Sequence, residues 1–159
     1  MDTIVLSIDS ISGNSTLKEF PGKIIVDSFS HGVAFPLGMD VANTERTKGR
    51  PVFSEISLSK MTDVSTPAIY MACAAGTKLG DATLNIGRNE GGKFMPLVKY
   101  VLGNAMISNI NTSGGGGGAM DSFSINFTKI TIEYSQQNPD ASKKGSSTFG
   151  WDISTNSAS

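Results

Sequence analysis

The stretch Ser65-Thr66-Pro67-Ala68-Ile69-Tyr70-Met71-Ala72-Cys73-Ala74-Ala75-Gly76 is the one segment that reads as a helix in a chain otherwise patterned for strands. Its ends are written in local chemistry. Ser65 or Thr66 offers a side-chain oxygen to an orphan N–H of the first turn. Pro67 sits where a missing N–H costs nothing, and Gly76 takes the left-handed conformation that stops the helix. Ile69, Met71, Ala72 and Cys73 make the segment apolar on most sides, so a helix over 66–76 is expected to bury all four against a sheet. One buried helix beside strands suits a small set of β-rich folds.

Outward from the helix, alternation and β-branched content predict strands near 3–8, 23–35, 52–61, 81–88, 94–110, 120–135 and 148–154. Long strands of this kind turn the corners of barrels and sandwiches by passing from one sheet to another. Within 120–135 the pattern itself changes: Phe123, Ile125 and Phe127 share one parity, whereas Ile130, Ile132 and Tyr134 share the other. A bulge or face switch near Thr128-Lys129 accounts for it.

Parity also divides the segment 23–35. Ile25, Asp27, Phe29, His31, Val33 and Phe35 fall on one face, and Ile24, Val26, Ser28, Ser30, Gly32 and Ala34 on the other. In 52–61, Ile56 and Leu58 oppose Glu55, Ser57 and Ser59. Paired as a long hairpin, the two strands would present Ser28, Ser30, Ser57 and Ser59 on one hydroxyl-rich, nearly uncharged face. Surface strands more commonly carry Lys, Glu and Thr.

Three connections stand out. Residues 36–51 form a long extended loop holding Pro36, Gly38, Gly49 and Pro51, with Arg46, Lys48 and Arg50 toward its far end. Its Leu37, Met39 and Val41 have little to bury them within one small domain, which marks a missing partner. Gly114 to Gly118 is an unbroken glycine run, expected to be a flexible surface loop. Residues 136–147 form a polar connector.

Composition narrows function further. With 159 residues the chain is a single domain, 1–159. Thirteen basic against fourteen acidic residues leave a formal charge of −1, so no long-range field recruits nucleic acid or anionic lipid. Charged residues are only 17%, so the polar surface comes from Ser, Thr and Asn and suits uncharged contact between proteins. A single cysteine, Cys73, forbids an internal disulfide and is expected in the core. No run approaches the length of a membrane span, and no basic stretch followed by an apolar run opens the chain, so no secretory leader is expected.

Catalytic and cofactor chemistry is not signalled. The glycine run lacks the Gly-Lys-Ser/Thr and the helix that a phosphate loop needs. The one histidine, His31, has no second imidazole or Cys-x-x-Cys for a metal site, and Gly-x-Ser-x-Gly is missing. A half-buried histidine with a hydrogen-bond partner is the expected reading. Asp9, Asp27, Glu55, Asp63, Glu133 and Asp152 read as turn and solvent-face residues. No enzyme activity, metal or cofactor is therefore expected.

Several segments together resemble the haemolysin-coregulated protein family, the tube-forming component of bacterial type VI secretion systems. They are Ile4-Val5-Leu6-Ser7-Ile8 with Ile11-Ser12-Gly13-Asn14-Ser15; Val26-Asp27-Ser28-Phe29-Ser30-His31-Gly32; Glu55-Ile56-Ser57-Leu58-Ser59-Lys60, Asp63 and the helix; and Phe149-Gly150-Trp151-Asp152-Ile153. His31 departs from the pattern, where an aromatic is more usual. The resemblance implies a mainly β fold: a small closed or nearly closed β-barrel with one short flanking helix. It also implies a homo-hexameric ring, with copies stacked into a tube. Ser28, Ser30, Ser57 and Ser59 would face the lumen and contact secreted effectors. The loop with Leu37, Met39, Val41, Arg46, Lys48 and Arg50 would carry ring stacking. Sheath and spike proteins would be the other partners, with neither nucleic acid nor membrane involved. Such a protein is made in the cytoplasm and expelled without a signal peptide. A monomeric ligand-binding barrel or adhesin-like module, and a hydrolase on a barrel, are the alternatives.

Overall fold

Where apolar and hydroxyl residues alternate the chain runs as strands, and where the alternation fails it changes sheet. The computed structural model describes residues 2–36, 50–90, 92–137 and 143–159. In chain order the elements are β1 (Asp2–Ile8), β2 (Ile24–Val26), β3 (Ser28–Ser30), β4 (Val33–Ala34), β5 (Val52–Phe53), β6 (Ile56–Met61) and α1 (Thr66–Ala75). They continue with β7 (Ala82–Glu90), β8 (Lys93–Gly103), β9 (Met106–Gly115), β10 (Gly118–Asn126), β11 (Lys129–Gln137), β12 (Lys143–Asp152) and β13 (Ser157–Ala158).

The strands assemble as a seven-stranded sheet, β13-β12-β11-β8-β7-β1-β2, a four-stranded sheet, β3-β6-β10-β9, and the small pair β4-β5. Neighbours run antiparallel throughout. Among the described residues no ladder joins the two larger sheets. Their inner faces share one core that includes Leu6, Ile24, Ile56, Leu58, Leu84, Leu102, Phe123, Ile125 and Ile130, each at most 2% exposed.

Four predicted strands, 23–35, 52–61, 94–110 and 120–135, are broken at sheet crossings, 52–61 dividing into β5 of the small pair and β6 of the four-stranded sheet. Residues 23–35 contribute to all three sheets, with interruptions at Asp27 and at His31-Gly32. The Asp27 N–H turns to the Ser59 carbonyl (2.8 Å), and parity inverts there. Ile24 and Val26 are buried and Ile25 is exposed, opposite to the single-strand expectation, while Ser28 and Ser30 are exposed as expected. An inserted unpaired residue flips every side chain beyond it. Residues 94–110 divide at Asn104, whose φ of 53° makes the turn from β8 in one sheet to β9 in the other. The break in 120–135 comes at Phe127-Thr128, close to the expected corner, and it too marks a change of sheet. The glycine run is not a loose loop. Gly114 and Gly115 end β9, Gly118 begins β10, and Gly115 pairs with Gly118 across a two-residue turn. All of the described part of the 136–147 connector is likewise strand.

Helix α1 ends as expected, with Gly76 at φ 62° and ψ 37° and the Thr77 N–H bonded to the Ala72 carbonyl (3.0 Å). Its start differs. Ser65 is the N-cap but makes no side-chain capping bond; its hydroxyl donates instead to Asp63 Oδ1, which also accepts the Ser65 N–H at 2.9 Å. Ile69 and Ala72 are buried and Cys73 is half-buried, whereas Met71 is 68% exposed, contrary to expectation. The helix packs on β9 with one stripe, and two residues past Ile69 the helical rotation points nearly the opposite way.

Candidate functional site

Three strands of the four-stranded sheet carry one repeated triplet: Ser28-Phe29-Ser30 on β3, Ser57-Leu58-Ser59 on β6 and Ser122-Phe123-Ser124 on β10. The ladders hold these triplets side by side. Ser28, Ser59, Ser122 and Asn111 form one cross-strand row, and Ser30, Ser57, Ser124 and Asn109 form the next. Strand alternation puts Phe29, Leu58 and Phe123 on the opposite side, packed in or against the core. Ser28, Ser30, Ser57, Ser122, Asn109 and Asn111 are exposed, Ser59 is half-buried and Ser124 is buried at 9%. Ser57 and Ser124 share a hydroxyl contact of 3.4 Å.

The result is an uncharged hydroxyl and amide surface over an open depression of about 230 Å³. That is smaller than the 300–1,000 Å³ of ordinary small-molecule sites and is not enclosed. It suits broad, weak polar contact rather than capture of a small ligand.

Behind the same sheet lies its electrostatic opposite. Lys60, on the apolar parity of β6, is fully buried. Its ammonium donates to Asp121 Oδ2 (2.8 Å), Asp63 Oδ1 (2.9 Å) and Thr66 Oγ1 (3.1 Å). Asp121, also fully buried, further accepts from Thr66 (2.5 Å), Thr112 (2.7 Å) and Thr62 (3.0 Å). Burial alone would raise its carboxyl, but the Lys60 ammonium and the Thr66, Thr112 and Thr62 hydroxyls outweigh that and hold it at about 2. The cluster carries one positive and two negative charges at the start of α1, where the helix dipole favours the surplus anion. Asp63 is therefore no solvent-face residue; its side chain is only 11% exposed.

His31 lies among the rings of Phe127, Tyr100 and Phe53, with centroids 5.6, 6.1 and 6.4 Å away. Burial lowers its pKa against the opposing effect of a hydrogen bond to the Ser54 backbone. Its Nε2 is buried without a partner among the described residues, so the imidazole serves largely as an aromatic filler. Among the described residues no three His, Cys, Asp or Glu side chains gather to hold a metal, and no helix is long and apolar enough to cross a membrane.

Of the residues singled out from the sequence, Ser28, Ser30, Ser57 and Ser59 come together on one face. Arg50 is exposed at the edge of the described chain, while Leu37, Met39, Val41, Arg46 and Lys48 lie outside the described residues. Ser122, Ser124, Asn109 and Asn111 were missed, although a third triplet of serines flanking a large apolar residue was there to be read. Lys60 and Asp121 were missed too. Their signal is a charge on the parity of Ile56 and Leu58 in one strand, and of Phe123 and Ile125 in the other.

Among the described residues, fold and face together define a β protein with one helix and two large sheets, whose distinctive surface is a neutral sheet face suited to contact with other proteins. The profile of the family described as "Type VI secretion system effector, Hcp" matches residues 5–134. The chain belongs to this haemolysin-coregulated protein family, the tube-protein family of type VI secretion. Protein hcp1 of Pseudomonas aeruginosa is 30% identical over 105 residues, spanning 64% of this chain and 65% of that relative. A solved structure of a type six secretion system protein superposes with a TM-score of 0.92 at 20% identity, covering both chains fully. Hcp1 from Salmonella typhimurium gives 0.79 at 21% identity over 99% of each chain. At these identities the structural likeness speaks for the fold.

Proposed function

We propose that this protein is the building block of a secretion tube: six copies close side by side into a ring, and rings stack head to tail. In this reading the two larger sheets are walls of one nearly closed barrel in each subunit. The face bearing Ser28, Ser30, Ser57 and Ser59, extended by Ser122, Ser124, Asn109 and Asn111, lines the lumen and contacts effectors. The observation that carries the reading is the character of that face, with three serine triplets in register and no charged side chain in their rows. A charged wall would hold oppositely charged cargo through strong local attraction. A neutral hydroxyl wall gives many exchangeable hydrogen bonds, each of small net worth, and lets cargo leave when the tube comes apart.

The stacking role belongs to residues 36–51, with the apolar Leu37, Met39 and Val41 supplying affinity and Arg46, Lys48 and Arg50 setting orientation, since rim charges are salt-screened. Sheath and spike proteins of the apparatus are the remaining partners. The protein acts without enzymatic chemistry and is expelled from the cytoplasm by the apparatus itself.

Light scattering after size exclusion, with end-on electron microscopy, tests the ring: a hexameric mass and an open annulus are expected, and a monomer at micromolar concentration rejects the reading. Ser30→Gln is expected to leave assembly intact and to reduce the effector that co-purifies with rings. Deleting residues 38–48 is expected to leave rings intact and to abolish tubes; broken rings would move the segment to the lateral interface.

A further inference from the structure

The repeated triplets that build the polar face leave its alignment undetermined. A slip of one residue between β6 and β10 would turn serines into the core and apolar side chains outward, so burial forbids it. A slip of two residues is different, because hydroxyl again meets hydroxyl and apolar meets apolar. Moved one way from the observed register, Ser124 faces Ser59 and Ile125 faces Leu58; moved the other way, Ser122 faces Ser57 and Phe123 faces Ile56. The turn before β10 does not choose between them, since identical glycines from Gly114 to Gly118 close a two-residue turn at more than one position.

Two cross-strand pairs break the repeat: Met61 with Met120 at the end of the exposed face, where a slip sets a methionine against a serine in solvent at small cost, and Lys60 with Asp121 in the core. Lys60 and Asp121 are direct cross-strand partners, both fully buried on the apolar parity. In the slipped registers Lys60 would face Phe123 or Ala119, and Asp121 would face Thr62 or Leu58. Asp121 would then lie in the core without its cation, which a protein interior does not tolerate. Asp121 also stands directly opposite Thr112 of β9 and accepts its hydroxyl at 2.7 Å. A single carboxylate thus reads the position of the strand on either side.

We infer that the Lys60–Asp121 pair, extended through Thr112, sets the register of the four-stranded sheet and so aligns the serine and asparagine rows of its exposed face. These are positioning residues, and they act whether or not that face lines a tube. Their contribution is alignment rather than net stability, because an apolar pair of similar volume packs a core about as well as a buried ion pair.

Cross-strand cysteines in a Cys73→Ala background report the register. S57C/S124C closes a disulfide in the observed alignment, where the native oxygens are 3.4 Å apart; S59C/S124C and S57C/S122C close only after a two-residue slip. With Lys60 and Asp121 present, only the first is expected to oxidise. In Lys60→Met with Asp121→Leu, folded by circular dichroism, the slipped pairs are expected to rise from undetectable to on the order of one molecule in ten. A folded double variant that forms only the native cross-link overturns the inference. If that variant does not fold, Thr112→Val decides, since it leaves the ion pair intact and changes an exposed residue. The slipped N109C/S122C link is then expected beside the native N111C/S122C link, and the native link alone overturns the inference.

Discussion

The two sides of the four-stranded sheet invert the usual distribution of charge. The side that meets solvent carries serines and asparagines and no charge in its triplet rows, while the side that meets the core holds a lysine and an aspartate. The difference teaches that the two kinds of polar group do different work. Exposed hydroxyls cost little to place and can be repeated, so they make a surface. A buried charge is tolerated only with its partner in place, so it makes an address. A sheet built from repeated triplets needs both.

The sharpest way to break the comparison is to remove one buried charge. Lys60→Met alone strands Asp121 and is expected to lower stability by about 3–5 kcal/mol in urea unfolding, whereas Ser57→Ala on the opposite face should stay within about 0.5 kcal/mol. Equal effects would erase the distinction. Ile69→Ala removes a fully buried side chain from under α1, at an expected cost of about 2–5 kcal/mol. Met71→Ser, two residues on but exposed, should fall within about 0.5 kcal/mol in the same assay.

Acid probes the buried side by itself. The Asp121 carboxyl is held at about 2 against an ordinary 3.8, so its folded-state pKa is depressed. Its stabilising contribution is complete above pH 4 and is lost as pH falls from about 4 through about 2, worth about 2 kcal/mol at one pKa unit per 1.36 kcal/mol. Urea midpoints between pH 5 and pH 2 measure this, and in the Lys60→Met, Asp121→Leu protein that part of the slope should vanish. The smallest effect belongs to His31. Burial lowers its pKa below 6.5, so on acidification the unfolded chain binds the proton first and stability declines modestly from about pH 7 to pH 5. His31→Phe should flatten that decline, and an unchanged slope would assign it elsewhere.

Much of the fold was legible because the relevant signals are local. Pro67 and Gly76 bracket the helix, and the parity change between Phe127 and Ile130 announces a corner. The breaks at Asp27 and Asn104 were not legible, since a strand that changes sheets keeps its β-propensity on both sides of the crossing. Burial of Met71 was overestimated because apolar composition states what a helix prefers, not which stripe its sheet covers. Half of the polar face was read from β3 and β6; the other half, on β9 and β10, waits in sequence more than 40 residues away.

By itself, the sequence determined the family, the one-helix β-rich fold and the neutral character of the surface, because composition, caps and side-chain alternation act over a few residues. Tertiary structure alone decided that three distant serine triplets stand in line and that Lys60 meets Asp121 across 61 positions of chain. Alignment of strands is a property of pairs, and a lone charge on the apolar parity of one strand selects a register only once the strand carrying its partner lies beside it.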